Sequence, residues 1–440
     1  LYQLTVSDDP SGAYLRFGLI PYVLRNNSYY RITGLTITAT LKQTLTSSIQ
    51  KDYVANSALS SGTWYKISVA QDGVFILNKA FFESLGLSIS SLNPQQINVY
   101  GNATGRLSES NAAPYFDDLT KNAIVAVGES DGVFNDGDYF LFYGVSPHRL
   151  DYNSSTGFEQ NRHIYADASY YFIRIDDPSG AERISTLTDN AGVVTNTVSS
   201  YDYFAIHEEE NYNLVGGGQR WYGELFDGFL SQNFSFSIPN LILSEPVSVQ
   251  YACATNATSG GNNFKFYVNG SLLQSQSMST ASVDYARNSG AFTFTPTSTD
   301  FTFNLQFNRV NPSVKGYLDF IEVTARRTLY YSGGFRFRDT RSVGVGNISR
   351  FQLASSNSNV SVWDVTNPRS PKAVQLTLNG FNYEFIQATD SLRSFFAFNS
   401  SDYKSPSIIG RVTNQNLHGL PQADYVIVTH PNFIAQAQRL

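Results

Sequence analysis

Residues 301–307 read Phe-Thr-Phe-Asn-Leu-Gln-Phe, and apolar and polar side chains alternate along the whole stretch. The same alternation recurs at Leu35–Leu41, Val247–Cys253 and Phe264–Val268. Because successive side chains of a strand point to opposite faces, this pattern predicts antiparallel sheets with one buried face. Asn269-Gly270 follows one of these strands, and both residues tolerate positive φ, so the pair predicts a tight hairpin. The chain is therefore predicted to be mainly β.

The composition bounds the number of domains and excludes one class of partner. The chain has 440 residues, which at roughly 150 residues per domain suggests about three domains. Charged residues make up 15% of the chain, against about 25% in an average soluble protein, and aromatic residues make up 14%. The 30 basic and 36 acidic residues give a net charge of −6. The chain lacks the basic surface that neutralises phosphates, so no nucleic-acid partner is expected.

The sequence contains no stretch that could form a transmembrane helix. Such a helix needs ~20 apolar residues, whereas the longest apolar runs, such as Ala123–Val127 and Tyr425–Val428, have the length of strands. Outer-membrane β-barrels also combine many aromatic and few charged residues, but the irregular strand lengths here argue against one. The chain begins at Leu1 and has Met278 as its one methionine, so we expect that the natural N-terminus has been removed, as in a secreted mature protein.

The pattern of predicted strands and helices divides the chain into five predicted regions. The sequence predicts a mainly β fold of several antiparallel, sandwich-like domains with a short mixed α/β region, whose helix lies near Asn78–Leu85. The predicted regions are a β segment at 1–60, a mixed β/α domain at 61–200, a jelly-roll-like β-sandwich at 201–335, a second β domain at 336–420 and the start of an α/β domain at 421–440.

The last region differs from the rest of the chain. Tyr425–Val428 is continuously apolar, as expected of a strand that is buried on both faces of a parallel sheet. After Pro431, apolar residues fall at helical spacing, and Asn432 is the predicted N-cap. Because a parallel sheet needs a return strand after its helix, we expect the chain to be the N-terminal part of a longer protein.

Candidate catalytic residues are few. Cys253 is the sole cysteine, so the chain has no intrachain disulfide and no Cys-based metal site. It shares a strand face with Val249 and Tyr251, so it is predicted to be a buried core residue rather than a nucleophile. The five histidines lie far apart in sequence and show no zinc-binding spacing. His207-Glu208-Glu209-Glu210 is interpreted as a solvated acidic loop.

Two other motifs allow more than one interpretation. Asp131, Asn135, Asp136 and Asp138 offer oxygen ligands between glycines, so the segment is either a weak calcium site or a plain turn, and it misses the EF-hand register. The aromatic groups at Trp64-Tyr65, Trp221-Tyr222 and Trp363 could form a carbohydrate platform, although tryptophan packs more often in a sandwich core. No complete catalytic constellation is found, and no cofactor other than calcium is expected.

Nearly the whole chain resembles the PorU-type sortases of the type IX secretion system, which are gingipain-like cysteine peptidases of the C25 class. The resemblance lies in a set of motifs that occur in the same order as in that family. The motifs are Gly62-Thr-Trp-Tyr-Lys-Ile-Ser-Val69, Gly73-Val-Phe-Ile-Leu77, Ile97-Asn-Val-Tyr-Gly101, Asp131-Gly-Val-Phe-Asn-Asp-Gly-Asp-Tyr-Phe-Leu-Phe-Tyr-Gly144, Gly218-Gln-Arg-Trp-Tyr-Gly-Glu224, Trp363-Asp-Val-Thr-Asn-Pro368 and Ala423-Asp-Tyr-Val-Ile-Val-Thr-His-Pro431. The last motif resembles the first strand of the family's caspase-like catalytic domain.

The resemblance implies an enzyme at the cell surface of a Gram-negative bacterium, exported through a signal peptide and associated with the outer membrane. Such a sortase removes the C-terminal signal of secreted cargo and joins the cargo to a surface lipopolysaccharide, using a Cys thiolate and a His base. The family's catalytic His and Cys follow the first strand of the catalytic domain, so we expect this pair beyond Leu440 and assign no catalytic role to His430. The implied partners are an outer-membrane β-barrel of the PorV type, other subunits of the attachment complex and the signal domains of cargo. The alternative is a non-enzymatic β-sandwich binding protein or adhesin at the cell surface.

Overall fold

The structure is a computed structural model that describes residues 2–9, 12–19, 21–34, 36, 53–110 and 112–439. The fold is mainly β, as predicted, with several antiparallel sheets and few short helices. The α-helices are α1 Lys79–Ser84 and α2 Ile434–Ala437, and the 3-10 helices are Ala58–Ser60, Ile89–Ser91, Pro94–Gln96, Glu129–Asp131, Ser400–Asp402 and Pro431–Phe433.

The strands up to residue 208 are β1 Tyr2–Asp9, β2 Gly12–Leu19, β3 Tyr22–Arg25, β4 Ser28–Arg31, β5 Trp64–Val69, β6 Gly73–Asn78, β7 Asn98–Tyr100, β8 Lys121–Asn122, β9 Val125–Val127, β10 Tyr139–Gly144, β11 Arg149–Asn153, β12 Gly157–Asn161, β13 Ser169–Arg174, β14 Ser185–Leu187, β15 Asn196–Val198 and β16 Ser200–Glu208. The strands that follow are β17 Leu225–Phe226, β18 Ser231–Ser237, β19 Val247–Thr255, β20 Asn263–Val268, β21 Ser271–Ser277, β22 Ala286–Phe294, β23 Asp300–Asn308, β24 Gly316–Thr328, β25 Phe335–Phe337, β26 Ile348–Ala354, β27 Ser361–Asp364, β28 Lys372–Val374, β29 Thr377–Asn379, β30 Asn382–Ala388, β31 Phe395–Phe398 and β32 Ser407–Val412.

The chain forms two compact units, one comprising residues 1–62, 107–120 and 413–440 and the other comprising residues 63–106 and 121–412. In the smaller unit, β1 pairs with β2 and β3 pairs with β4, both antiparallel. The predicted strand at 35–41 lies, apart from Thr36, outside the described residues.

The end of the smaller unit differs in detail from the sequence expectation. The predicted helix is present as the 3-10 turn Pro431–Phe433 followed by α2, but Asn432 is not its N-cap. Instead, the Asn432 backbone N–H donates to His430 Nδ1 over 3.2 Å. Residues 425–428 form no strand and are exposed, Val428 by 95%. A parallel strand needs a hydrogen-bonded neighbour, and none of the described residues supplies one to this segment.

The larger unit begins with a mixed β/α region. Its sheets have the strand orders β6-β10-β9 and β32-β5-β13-β7-β8, and α1 packs beside them with the Asn78 side chain as N-cap. Strand β10 is apolar on both faces because one face packs with Phe75 and the other with Trp363 in separate clusters. Burial on both sides explains the continuous apolar run at 139–143.

Residues 200–328 form a β-sandwich. One sheet has the order β16-β24-β19-β22, with β17 beside β24, and the other has the order β18-β23-β20-β21. The predicted alternation is present, since Phe301, Phe303, Leu305 and Phe307 all point into the core. The predicted hairpin joins β20 to β21, where Asn269 and Gly270 both have positive φ, 50° and 79°.

Three strand pairs of the larger unit join segments that are distant in sequence. Strand β14 pairs with β28 and β15 pairs with β26, both parallel, and β32 pairs antiparallel with β5. These pairs connect strands from different predicted regions, so the predicted boundaries near residues 60, 200, 335 and 420 stay predictions.

Candidate binding cleft

A polar concave surface of the sandwich lies on the outer face of the sheet that contains β16 and β24. In the antiparallel register of these strands, Ile206 is opposite Glu322 and Glu208 is opposite Phe320. Side chains two residues apart share a face, so these four side chains point to the same side. Ile321 and Val323 point to the other side and are fully buried in the sandwich core. The strand alternation therefore separates a charged outer face from an apolar inner face.

A β-bulge adds a charged residue to the outer face. The register between β19 and β24 shifts at Ala252 and Cys253, opposite Leu318 to Phe320. Leu318 and Ile321 both lie in the core although they are three residues apart, which a regular strand does not allow. Asp319 and Phe320 both line the outer cleft as a result. Bulges commonly redirect side chains in this way.

The walls of the cleft come from three segments outside this sheet. Gln160 and Asn161 end strand β12 and Arg162 follows them, residues 219–221 form a second segment, and Arg106 is the third. The cavity has a volume of about 310 Å³. A second hollow of about 330 Å³ lies beside it and shares five lining residues with it. The shared residues are Arg162, Ile164, Glu210, Gln219 and Trp221.

Four arginines and four carboxyl groups line the first cavity, so its formal charges balance. They are Arg106, Arg162, Arg220, Arg287, Glu208, Glu210, Asp319 and Glu322. Arg287 Nε donates to Asp319 Oδ2 over 2.6 Å, the shortest contact among them. Arg162 donates to the backbone carbonyl of Glu208 over 3.2 Å. Its guanidinium stands 3.9 Å from the carboxyl oxygen of the same residue, too far for a hydrogen bond.

Two of the carboxyl groups are strongly perturbed. Burial raises the pKa of Glu208 to about 7, with Arg162 opposing the shift and nearby carboxylates such as Glu210 and Glu322 adding to it. Burial also raises the pKa of Glu322 to about 7, although the Gln160 backbone N–H donates to it over 3.2 Å. Glu208 Oε2 is buried without a hydrogen-bond partner among the described residues. Such a buried acceptor is costly unless a ligand or a water satisfies it.

The structure revises two sequence interpretations of this region. His207 and Glu208 belong to strand β16, so the interpretation of residues 207–210 as a solvated loop is wrong for them. Local charge could not reveal that Glu208 pairs with Phe320 of strand β24, more than 100 residues downstream. The three tryptophans also differ: Trp64 and Trp363 are buried in the core, whereas 41% of Trp221 is exposed at the cleft.

Cys253 is fully buried in the sandwich core, as predicted. Burial raises the pKa of its thiol well above the usual value, and the nearby Asp319 carboxylate adds to the shift. The thiolate that nucleophilic catalysis requires is therefore disfavoured at this position.

On the same strand as Glu208, His207 faces the opposite side of the sheet. Its Nε2 lies 2.6 Å from Glu224 Oε1, and this contact raises the pKa of His207. His207 also packs on the ring of Phe234, so it contributes to the sandwich rather than to the cleft.

A Ser-His-Asp arrangement in the smaller unit was not anticipated from the sequence. Ser57 Oγ lies 2.9 Å from His418 Nδ1, and His418 Nε2 lies 3.2 Å from Asp117. In serine hydrolases the serine faces Nε2 instead. Ser57 is 8% exposed, and its Oγ also accepts the His418 backbone N–H over 3.2 Å. The contacts therefore fit a structural link between three chain segments.

The proposed calcium ligands lie in a hydrogen-bonded turn. Asp138 accepts the Asn135 backbone N–H over 2.7 Å, Asp131 accepts the Asn135 side-chain amide over 2.9 Å, and Asp136 lies 2.6 Å from Lys79 Nζ. No group of three or more His, Cys, Asp or Glu side chains in the described part of the chain is arranged to hold a metal ion. Calcium binding here stays a prediction that isothermal titration with calcium chloride tests.

No helix among the described residues is long and apolar enough to cross a membrane.

Comparisons with known proteins support the fold. No protein-family profile matches the chain, and no curated protein matches it. Among solved structures, the dimeric latent PorU from Porphyromonas gingivalis matches with a TM-score of 0.75 and 24% identity, over 88% of this chain and 36% of that chain. The chain thus has the PorU-like arrangement of β-sheets and spans about a third of the length of PorU.

Other solved structures match much less closely. A CBM36 domain of a xylanase from the hindgut metagenome of Trinervitermes trinervoides has a TM-score of 0.20 and 10% identity, over 28% of this chain and 95% of that one. The Cry8Ea1 δ-endotoxin of Bacillus thuringiensis has a TM-score of 0.20 and 12% identity, over 54% and 43% of the two chains. These values are too low to carry an argument.

Proposed function

We propose that this chain is the N-terminal β region of a cell-surface sortase of the type IX secretion system, a cysteine peptidase of the gingipain-like C25 class. The full protein removes the C-terminal signal domain from secreted cargo and joins the cargo to a surface lipopolysaccharide. In this proposal the β region positions the peptidase domain and docks its partners, which include a PorV-type β-barrel and other subunits of the attachment complex.

The observation that carries the proposal is the backbone likeness to PorU over 88% of the chain. The ordered motifs of the sequence support it, because they fall on structurally important elements. Residues 73–77 and 139–144 lie in the paired strands β6 and β10, and residues 218–221 form a wall of the cleft.

The environment of Cys253 also agrees with this division of roles. A catalytic thiol needs an accessible position and a neighbouring base, whereas Cys253 is fully buried in an apolar core. In this proposal the catalytic Cys and His belong to the peptidase domain.

The test uses the complete natural gene product. The purified protein is incubated with a cargo protein that carries a C-terminal signal domain, together with an amine-bearing lipopolysaccharide acceptor, and the products are identified by mass spectrometry. We expect loss of the signal domain and a new amide bond between cargo and acceptor. The Cys253→Ala variant should retain this activity, because the thiol lies in the core.

Two outcomes would contradict the proposal. Cargo that remains intact with a folded full-length protein would favour the adhesin alternative. Cleavage that disappears in a folded Cys253→Ala variant would move catalysis to the sandwich and refute the assignment of an accessory role.

A further inference from the structure

The cleft on the outer face of the sandwich has the properties of a ligand site that the proposed sortase reaction does not explain. Its four arginines and four carboxyl groups balance in formal charge when all four carboxyl groups are ionised. A strongly cationic ligand would approach arginine side chains, and a strongly anionic ligand would approach carboxylates. The charge balance therefore favours an uncharged ligand that can both donate and accept hydrogen bonds.

The polar groups of the cleft match hydroxyl groups in particular. Glu208 lines the cavity, and a carboxyl group there can accept a hydrogen bond from a hydroxyl. Glu322, 6% exposed, also lines the cavity. The guanidinium of Arg220, on an exposed residue, supplies donors at the wall. Neighbouring hydroxyls of a sugar can donate to carboxylates and accept from guanidinium groups at the same time.

An aromatic surface completes the site. Trp221 is 41% exposed, whereas the two other tryptophans are buried. It lines both hollows, whose volumes of about 310 and 330 Å³ are at the lower end of small-molecule sites. The apolar face of an indole packs against the C–H face of a pyranose ring, and its N–H stays available to a polar group.

From these features we infer that the cleft binds a neutral oligosaccharide. A sugar ring packs on Trp221, and hydroxyl groups of the sugar form hydrogen bonds with Glu208 and Arg220. The site is built from the sandwich and its flanking segments alone. It does not require sortase activity, so the inference is independent of the proposed function.

The experiment screens the natural gene product on an array of neutral gluco-, manno-, galacto- and N-acetylglucosamine oligosaccharides. The strongest-binding trisaccharide is then titrated calorimetrically against the wild type and variants. We expect Trp221→Ala to weaken binding by about tenfold or more, and Trp221→Tyr to retain part of the affinity. Phe229→Ala is the matched control, because Phe229 is an aromatic residue of the same unit with 82% exposure outside the cleft.

Three results would overturn the inference. These are the absence of binding by every oligosaccharide on the array, binding that Trp221→Ala leaves unchanged, and Trp221-dependent binding of sodium phosphate or spermidine in place of the neutral sugars. The assay contains no cargo or acceptor, so its outcome is separate from that of the sortase assay. Circular dichroism of each variant shows whether the sandwich is folded.

Discussion

The two faces of the sheet β16-β24-β19-β22 differ sharply in chemistry although the same strands form both. The inner face packs Val249, Tyr251 and Ile321 against the phenylalanines of the opposite sheet. The outer face carries Glu208 and Glu322 in a cleft. A side chain on the inner face is stabilised by many apolar neighbours, whereas a side chain on the outer face depends on a few charged partners.

This difference separates residues that support the fold from residues that are available to bind. The inner face makes Cys253 inert, because an apolar core disfavours the thiolate. The outer face leaves a carboxyl oxygen of Glu208 without a hydrogen-bond partner among the described residues, which costs stability. Substitutions on the two faces should therefore change the free energy of unfolding by different amounts and with a different dependence on pH.

The largest expected effect is a loss of stability caused by a substitution in the sandwich core. Phe303 is fully buried and contacts the rings of Phe266 and Phe292. Truncation in Phe303→Ala should lower the free energy of unfolding by about 3–5 kcal/mol, because it removes apolar contacts and leaves a cavity. Urea unfolding followed by circular dichroism measures the change. The exposed Phe229→Ala should stay within about 0.5 kcal/mol of the wild type, and equal losses in both variants would contradict the assignment of the core.

On the outer face, Glu322→Gln is expected to increase stability by an amount that depends on pH. Burial raises the pKa of Glu322 to about 7, so the folded state holds a proton that the unfolded state releases above its ordinary pKa near 4.5. Stability should therefore fall as pH rises from about 4.5 to about 7. Glu322→Gln removes this penalty and should stabilise the protein by about 3 kcal/mol at pH 8 and by little at pH 4.

Urea unfolding at the two pH values checks this prediction. Glu83→Gln is the control, because Glu83 is an exposed carboxylate that lies 3.9 Å from Lys79 on the surface of α1. Its effect should stay within a few tenths of a kcal/mol at both pH values. A stabilisation by Glu322→Gln that is equal at pH 4 and pH 8 would show that ionisation is not its cause.

A smaller effect is expected at Cys253, where the inner face meets the bulge that shapes the cleft. Cys253→Ala should cost about 1 kcal/mol, because it removes one buried sulfur atom. The native thiol should resist alkylation by iodoacetamide and react only after unfolding in urea, which mass spectrometry detects. Rapid alkylation of the folded protein would show that the inner face is open to solvent at this point.

The inner face could be predicted from the sequence and the cleft could not, for a physical reason. The alternation at 301–307 and the turn at Asn269-Gly270 are local, so they identify strands, their buried side and a hairpin. The cleft depends on the register that brings Glu208 close to Glu322, more than 100 residues away, and on the bulge at Asp319. The parallel pairing of β14 with β28 has no local signal either. Trp221 resembled the other tryptophans in sequence because the chain alone does not show which rings are exposed.

The smallest expected effect on stability is at Trp221, and it sharpens the comparison between the faces. Trp221 is 41% exposed and follows Arg220 in a wall of the cleft, whereas its neighbour Tyr222 is fully buried in a small cluster with Ala254 and Tyr317. Trp221→Ala should change the free energy of unfolding by no more than about 0.5 kcal/mol, because the ring contributes little to the core. Tyr222→Ala should cost several-fold more, because it empties a packed site one residue away. Urea unfolding of both variants tests the pair, and comparable losses would mean that Trp221 supports the fold and is not reserved for a ligand.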